Sequence, residues 1–359
     1  MIKAKREFLL AVLLCTLSLS LCGQKAARRI KICSPDDPRI HYTGRIDFTN
    51  PRLPRFWQPG VYITVKIKGM RCDFIVNDEE LWGKNHNYLE LIVDGKATRL
   101  QTKSKRDTIS VPGLSDTIHI ITLVKNTEAN IGYLELVAVR CHELLKPDPK
   151  PKRKIEFIGN SITCGTGADQ SSIPCGKGVW QDQHNAYLSY GAITARSLNA
   201  QYHLSSVSGV GLMHSCCNMN IIMPQVFDKI SMRNDTIQWD FSKYQPDVVT
   251  VCLGQNDGIQ DSTAFCNNYI SFLKTLRSYY PNAQFILLSS PMAHKELRGF
   301  QRKTISSVVN TVQQTGDKKI TNYIFEKQYS SGCDWHPSLE EHEQIAKELT
   351  AFIKTIKDW

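Results

Sequence analysis

Twelve of the 359 residues are cysteine, yet no Cys-x-x-Cys pair occurs and no cysteine–histidine group stands at zinc-ligand spacing. A structural zinc site is not expected from such a pattern. No His-Glu-x-x-His is present, which argues against a zinc protease. No Gly-x-Ser-x-Gly elbow is present, which argues against an α/β-hydrolase fold. Nor is there an unbroken run of about 20 apolar residues, the length a membrane-spanning helix needs. The formal charge is +10, but basic residues are not interleaved with aromatics in a strip, and no RNP-like run occurs. A nucleic-acid partner is therefore not expected. With 42% hydrophobic and 22% charged residues, the composition is that of a globular chain, neither disordered nor collagenous.

What is there begins with an export pattern. Lys3, Lys5 and Arg6 precede an apolar run from Phe8 to Leu21, and polar, basic residues follow. Residues 1–23 read as a signal peptide, with a lipid anchor at Cys22 as an alternative. Removing them takes away Lys3, Lys5, Arg6 and Glu7, which leaves a charge of +8 and ten cysteines. In an oxidising compartment some of these can pair. Cys164 and Cys175 flank a short loop and are candidates for a bridge, whereas Cys72 and Cys252 lie in apolar runs and read as buried thiols.

The remainder divides by period. Over residues 30–145 apolar and polar residues alternate, as at Val61, Ile63, Val65 and Ile67 and again at Leu89, Leu91 and Val93 before an Asp94-Gly95 turn. Ile118–Val124 and Ile131–Val139 read as further strands, and the whole as a β-sandwich. Residues 146–154 carry three prolines and five basic residues, and read as a solvated linker. From 155 to 359 strands and helices alternate. Strands are expected at 155–158, 202–207, 247–253, 283–289 and 322–325, and helices at 186–199, 263–280 and 301–315. A last helix is opened by the capping box Ser338-Leu-Glu-Glu341. This alternation predicts a parallel sheet covered on both faces.

In such sheets chemistry gathers beyond the carboxyl ends of the strands. Gly159-Asn-Ser-Ile-Thr163 follows the first strand, Ser208-Gly-Val-Gly211 the second and Gly254-Gln-Asn-Asp257 the third, while Gly332-Cys-Asp-Trp-His-Pro337 precedes the last helix. Ser161 and His336 fit a nucleophile and its base. The amides of Ser161 and Gly209 and the side chain of Asn256 fit oxyanion donors. Asp334 is placed to orient His336, by its carboxylate or by its backbone carbonyl. Trp335 and Trp180 are candidates for stacking on a sugar ring, against the alternative that either is core.

The ordered set Gly-Asn-Ser, Ser-Gly-x-Gly, Gly-x-Asn-Asp and Asp-x-His-Pro resembles the SGNH (GDSL-type) hydrolase superfamily. With His41-Tyr-Thr-Gly-Arg45 and Phe56-Trp-Gln-Pro-Gly60 in the front half, the chain resembles carbohydrate esterase family 2, the acetyl (xylan) esterases. One departure is visible: the superfamily has Asp three residues before His, where this chain has Cys333, and Asp334 stands two before. The resemblance implies two domains, an N-terminal β-sandwich (jelly roll) and a C-terminal α/β/α SGNH hydrolase domain with a parallel sheet. It carries Ser161 over as nucleophile, Gly209 and Asn256 as oxyanion donors, His336 as base and Asp334 as its partner. It implies an exported, monomeric serine esterase with no metal or organic cofactor, acting on acetylated polysaccharides such as xylan and glucomannan or on their oligosaccharides. The alternatives are a lipase, thioesterase or sialate O-acetylesterase of the same superfamily, or a carbohydrate-binding protein with a dead hydrolase domain.

Overall fold

The computed structural model describes residues 29–233 and 237–359. The expected signal peptide and the lipid-anchor alternative at Cys22 lie outside these residues. Among the described residues, no helix is long and apolar enough to cross a membrane.

The first half is antiparallel throughout, with nine strands: β1 (Lys31–Cys33), β2 (His41–Thr43), β3 (Arg55–Phe56), β4 (Tyr62–Asp78), β5 (Tyr88–Val93), β6 (Lys96–Gln101), β7 (Arg106–Ser110), β8 (Ile118–Lys125) and β9 (Leu134–Leu145). Ile63, Val65 and Ile67 of the alternation read from sequence belong to a 17-residue strand, β4, which runs on to Phe74, Val76 and Asp78. Its register against β9 shifts between Lys68 and Cys72 and again between Ile75 and Val76. The first half of β4 pairs β8, and the second pairs β7. These irregularities bend β4, so a single hydrogen-bonded network of nine strands wraps one core. Val61, Ile63, Val65 and Ile67 are each at most 2% exposed in that core, and Cys72 lies among them as a free thiol. Asp94 and Gly95, both at positive φ, close the two-residue hairpin between β5 and β6.

The second half has five parallel strands: β10 (Arg153–Gly159), β11 (Ala200–Ser206), β12 (Val248–Val251), β13 (Gln284–Leu288) and β14 (Ile320–Tyr323), in the order β11-β10-β12-β13-β14. β10 takes in two residues of the expected linker, because Arg153 and Lys154 continue its pairing with β11. The helices are α1 (Ser161–Cys164), α2 (Tyr190–Ser197), α3 (Met223–Val226), α4 (Ser262–Tyr279), α5 (Lys295–Gln314) and α6 (Leu339–Lys357). α2 is shorter than its composition suggested, and α5 begins six residues earlier than expected, capped by the His294 side chain. The Ser338/Glu341 capping box opens α6 as expected.

β12 shows how the sheet is covered. Val249 and Val251 face one core with Phe265, Tyr269 and Phe272 of α4 and Ile305 and Val308 of α5. Val248 and the free thiol Cys252 face the other, with Tyr190 of α2 and Ile345, Leu349 and Ile353 of α6. Strand order reverses beside β10, the first strand of this half. The crevice between the loops after β10 and β12 is thus the topological switch point, where ligands bind in such sheets.

The two halves are joined by buried polar contacts. Arg45 of the first, 1% exposed, meets Glu156 of β10 at 2.7 Å and donates to the carbonyl of Lys229 at 3.0 Å. Glu156 also accepts from Ser205 and from the Tyr280 hydroxyl.

Candidate active site

β10 ends at Gly159, and Asn160 then caps α1, its side-chain oxygen accepting from the Ile162 amide at 3.2 Å. This turn places Ser161 first in the helix, at 8% exposure. The Ser161 hydroxyl lies 2.8 Å from His336 Nε2. His336 comes from a tight turn before α6, in which its amide donates to the Cys333 carbonyl and its carbonyl accepts from Gly332. On the far side of the ring, Nδ1 lies 3.2 Å from the Cys333 carbonyl. A carbonyl only accepts, so Nδ1 carries the proton and Nε2 is left to accept from serine. Burial holds the imidazole below its ordinary value of 6.5, against the upward pull of the Cys333 carbonyl and of Asp334.

The Cys333 carbonyl is itself held in place. Its amide donates to the Gly167 carbonyl at 2.8 Å, and its sulfur is bonded to Cys175. Gly167 has φ of +69°, and a Cβ there would come within 2.6 Å of that same Cys333 oxygen. The expected Cys164–Cys175 bridge is therefore wrong. Cys164, at the end of α1, points inward as a buried free thiol, and Cys175 reaches the histidine turn instead.

The loop after β11 carries Gly209 at φ +82°. A Cβ there would lie 2.7 Å from Met219 Sδ and 3.0 Å from Cys216 Sγ, so glycine is required by both conformation and space. Among the described residues no backbone carbonyl takes the amide of Ser161 or Gly209. In the loop after β12, Asn256 donates to the Val210 carbonyl at 2.8 Å, which leaves one amide hydrogen to spare. Asp257, 4% exposed, accepts from the amides of Leu212, Met213 and His214 at 2.6–3.0 Å and ties this loop to the one after β11. Thr166 and Ser208 meet through their hydroxyls at 2.8 Å. The loops after three neighbouring strands and the turn before α6 are thus cross-linked at one end of the sheet.

Residues 42–151 match the Carbohydrate esterase 2 N-terminal family, and residues 157–338 match the GDSL-like Lipase/Acylhydrolase family. A family two carbohydrate esterase from Clostridium thermocellum, solved in complex with cellohexaose, superposes with a TM-score of 0.82 at 31% identity, over 89% of this chain and 99% of that one. The chain is a family 2 carbohydrate esterase. It is 33% identical over 341 residues to the cellulase/esterase CelE of Acetivibrio thermocellus, covering 90% of this chain but 40% of that longer protein. It is 26% identical over 370 residues to an acetylxylan esterase / glucomannan deacetylase of Cellvibrio japonicus, covering 98% of this chain and all of that one.

In this esterase, Ser161 and His336 are brought together, and the Asp334 carboxylate takes no part in their contact. Asp334 is exposed, with φ of +51°, and the oxygen on Nδ1 belongs to Cys333. The one-residue shift of Asp relative to the superfamily pattern is the trace this leaves in the sequence. Trp335 is 77% exposed and Trp180 is 44% exposed with its edge contact to His184, so neither is core. Sequence reasoning missed Cys333 and the clamp at Asp257. It also missed the bond between Cys216 and Cys217 beside Gly209. The pairing of Cys175 with a residue beside His336 leaves no local spacing to read.

Proposed function

We propose that this esterase is exported and removes O-acetyl groups from plant polysaccharides such as xylan and glucomannan, or from their oligosaccharides. The observation that carries this reading is the 2.8 Å contact between the Ser161 hydroxyl and the half-buried His336, whose Nδ1 faces the Cys333 carbonyl. Ser161 Oγ attacks the acetyl carbonyl as its proton passes to His336 Nε2. The oxyanion accepts hydrogen bonds from the Ser161 and Gly209 amides and from Asn256. Collapse breaks the ester bond, and His336 returns the proton to the departing sugar hydroxyl. A water then repeats the sequence on the acetyl-enzyme and releases acetate. Trp335 and Trp180 offer ring faces to the glycan beside the site. The Cys175–Cys333 bridge supports export, since such bonds persist in oxidising compartments.

Acetate release from acetylated xylan and glucomannan, measured beside the Ser161→Ala variant, tests the reading. Faster turnover of octanoyl than acetyl esters would favour a lipase or thioesterase. Binding of acetylated glycan with no acetate release would make the chain a binding protein.

Two smaller effects are expected. Asp334→Asn keeps the backbone and the Cys333 carbonyl, so kcat/KM falls by less than about fivefold, far below the ~10⁴-fold loss seen where a buried Asp orients the catalytic histidine. A loss of hundredfold would return the orienting role to the carboxylate. The pH profile follows from His336. Protonated imidazole cannot take the serine proton, so activity falls as pH drops, and a depressed pKa moves that fall downward. The acid limb of kcat/KM is expected to have its midpoint below 6.5, and a midpoint above it would contradict the assignment.

A further inference from the structure

A cavity of about 340 Å³ lies between the two halves at the opposite end of the parallel sheet from Ser161. Lys154, near the start of β10, and His203 and Gln201, near the start of β11, line it from the second half, together with Lys243, Trp239 and Tyr244. Seven residues of extended chain separate Lys154 from Ser161, about 20 Å along the strand, so this cavity is distinct from the serine site. Tyr42, Phe48 and Lys150 line it from the first half and its exit segment.

Three features set it apart from an ordinary cleft. First, Lys150, Lys154 and Lys243 converge on it, and among the described residues none of the three is in a salt bridge. The nearby carboxylate of Glu156 is already held by Arg45. Lys150 donates to the Tyr42 carbonyl, a neutral acceptor, and its pKa is lowered by burial and by Lys154. Second, aromatic rings form part of the wall. His203 stacks on Tyr244 with centroids 3.6 Å apart, and Lys154 Nζ lies 5.6 Å from the Tyr244 ring centre. Third, polar atoms on the same wall have no partner. His203 and Trp239 are 4% and 6% exposed, yet His203 Nδ1 and Trp239 Nε1 make no hydrogen bond among the described residues. Buried polar atoms are normally paired, and an unpaired one calls for an explanation such as a ligand. Burial and the positive charges of Arg45, Lys150 and Lys154 keep His203 neutral.

We propose that this cavity binds one carboxylate-bearing sugar unit, a uronic acid, as a glycan-holding site separate from the acetyl site. The ammonium groups take the carboxylate as point charges, and the aromatic wall packs on the apolar face of the ring. His203 and Trp239 supply hydrogen-bonding atoms for hydroxyl groups. The volume lies in the range of small-ligand sites. A neutral hexose lacks the charge, and inorganic phosphate lacks the face.

Calorimetric titration of the full chain with glucuronate, glucose and inorganic phosphate tests this, with Lys154→Ala/Lys243→Ala alongside. Glucuronate is expected to bind saturably and at least tenfold more tightly than either glucose or phosphate. The double variant is expected to lose glucuronate binding at least tenfold while hydrolysing 4-nitrophenyl acetate at the wild-type rate, which shows that it is folded. Absence of saturable glucuronate binding would overturn the proposal. So would equal binding of phosphate, which marks a site that reads charge alone, or unchanged glucuronate binding in the double variant. Because the readout is binding, failure here leaves the esterase reading intact, and loss of acetate release leaves this one intact.

Discussion

Ser161→Ala is expected to lower kcat on 4-nitrophenyl acetate by about 10³-fold or more, with KM little changed. The hydroxyl makes one side-chain hydrogen bond, to His336 Nε2, and the proposed attack runs through that contact. Without the oxygen no acetyl-enzyme forms, and what remains is water attack assisted by the oxyanion donors. His336→Ala should fall by a similar factor, because a serine without its base is a weak nucleophile at neutral pH. The two residues act as a unit, so the double variant should be little slower than either single one. Steady-state kinetics with a melting curve for each variant checks this. Loss of activity accompanied by a little-changed melting temperature is the expected pair, since the substitution removes a single side-chain hydrogen bond, the one to His336. An alanine variant that retains most of its activity would end the serine mechanism for this protein.

The contrast between what local sequence reveals and what it hides follows from how each contact is made. The parallel sheet was legible because both faces of β12 are covered, which requires the unbroken apolar run Val248–Val251. Ser161, Gly209, Asn256 and His336 were legible because each lies in a short block directly after a strand or before a helix. Their blocks need particular residue types, such as glycine where Met219 leaves no room for a Cβ. The acceptor for His336 was not legible, because any residue at position 333 supplies a carbonyl and the side chain carries no signal of it. The bend in β4 was equally hidden, since the register shift between Lys68 and Cys72 shows only in the pairing with β9. Contacts between the halves left no pattern, because they join residues tens of positions apart, as Glu128 and Ser208 do.

Glu128 gives the second large expectation, and it concerns the domain that carries no catalytic residue. It lies between β8 and β9 in the first half and is wholly buried. One of its oxygens accepts from the Ser208 amide at 2.6 Å and from the Cys164 thiol at 3.1 Å. Ser208 precedes Gly209, and Cys164 ends the helix that Ser161 begins, so a single carboxyl group spans the two elements that frame the proposed oxyanion site. Lys125, also buried, donates to the carbonyls of Thr127 and Glu128, and burial pushes its pKa down to about 7 despite the nearby acids. Glu128→Ala strips the Ser208 amide of its acceptor, leaves the Cys164 thiol only the Ser206 hydroxyl, and removes a buried carboxyl group beside Lys125. Leaving a buried amide without its acceptor and emptying the space of a buried side chain costs about 3–5 kcal/mol. In a chain of this size that lowers the melting temperature by roughly 5 °C. With the Gly209 amide no longer fixed, kcat on the short ester should fall by about tenfold or more while KM changes little, since the donor acts in the transition state. Glu128→Gln keeps an oxygen for the Ser208 amide and should recover most of kcat while remaining less stable than wild type. Measured together, melting temperature and kcat separate the outcomes. If alanine at 128 lowers stability but leaves kcat untouched, the carboxylate only glues the halves together; if it lowers both and glutamine restores kcat, the first domain sets the geometry of the oxyanion donors in the second.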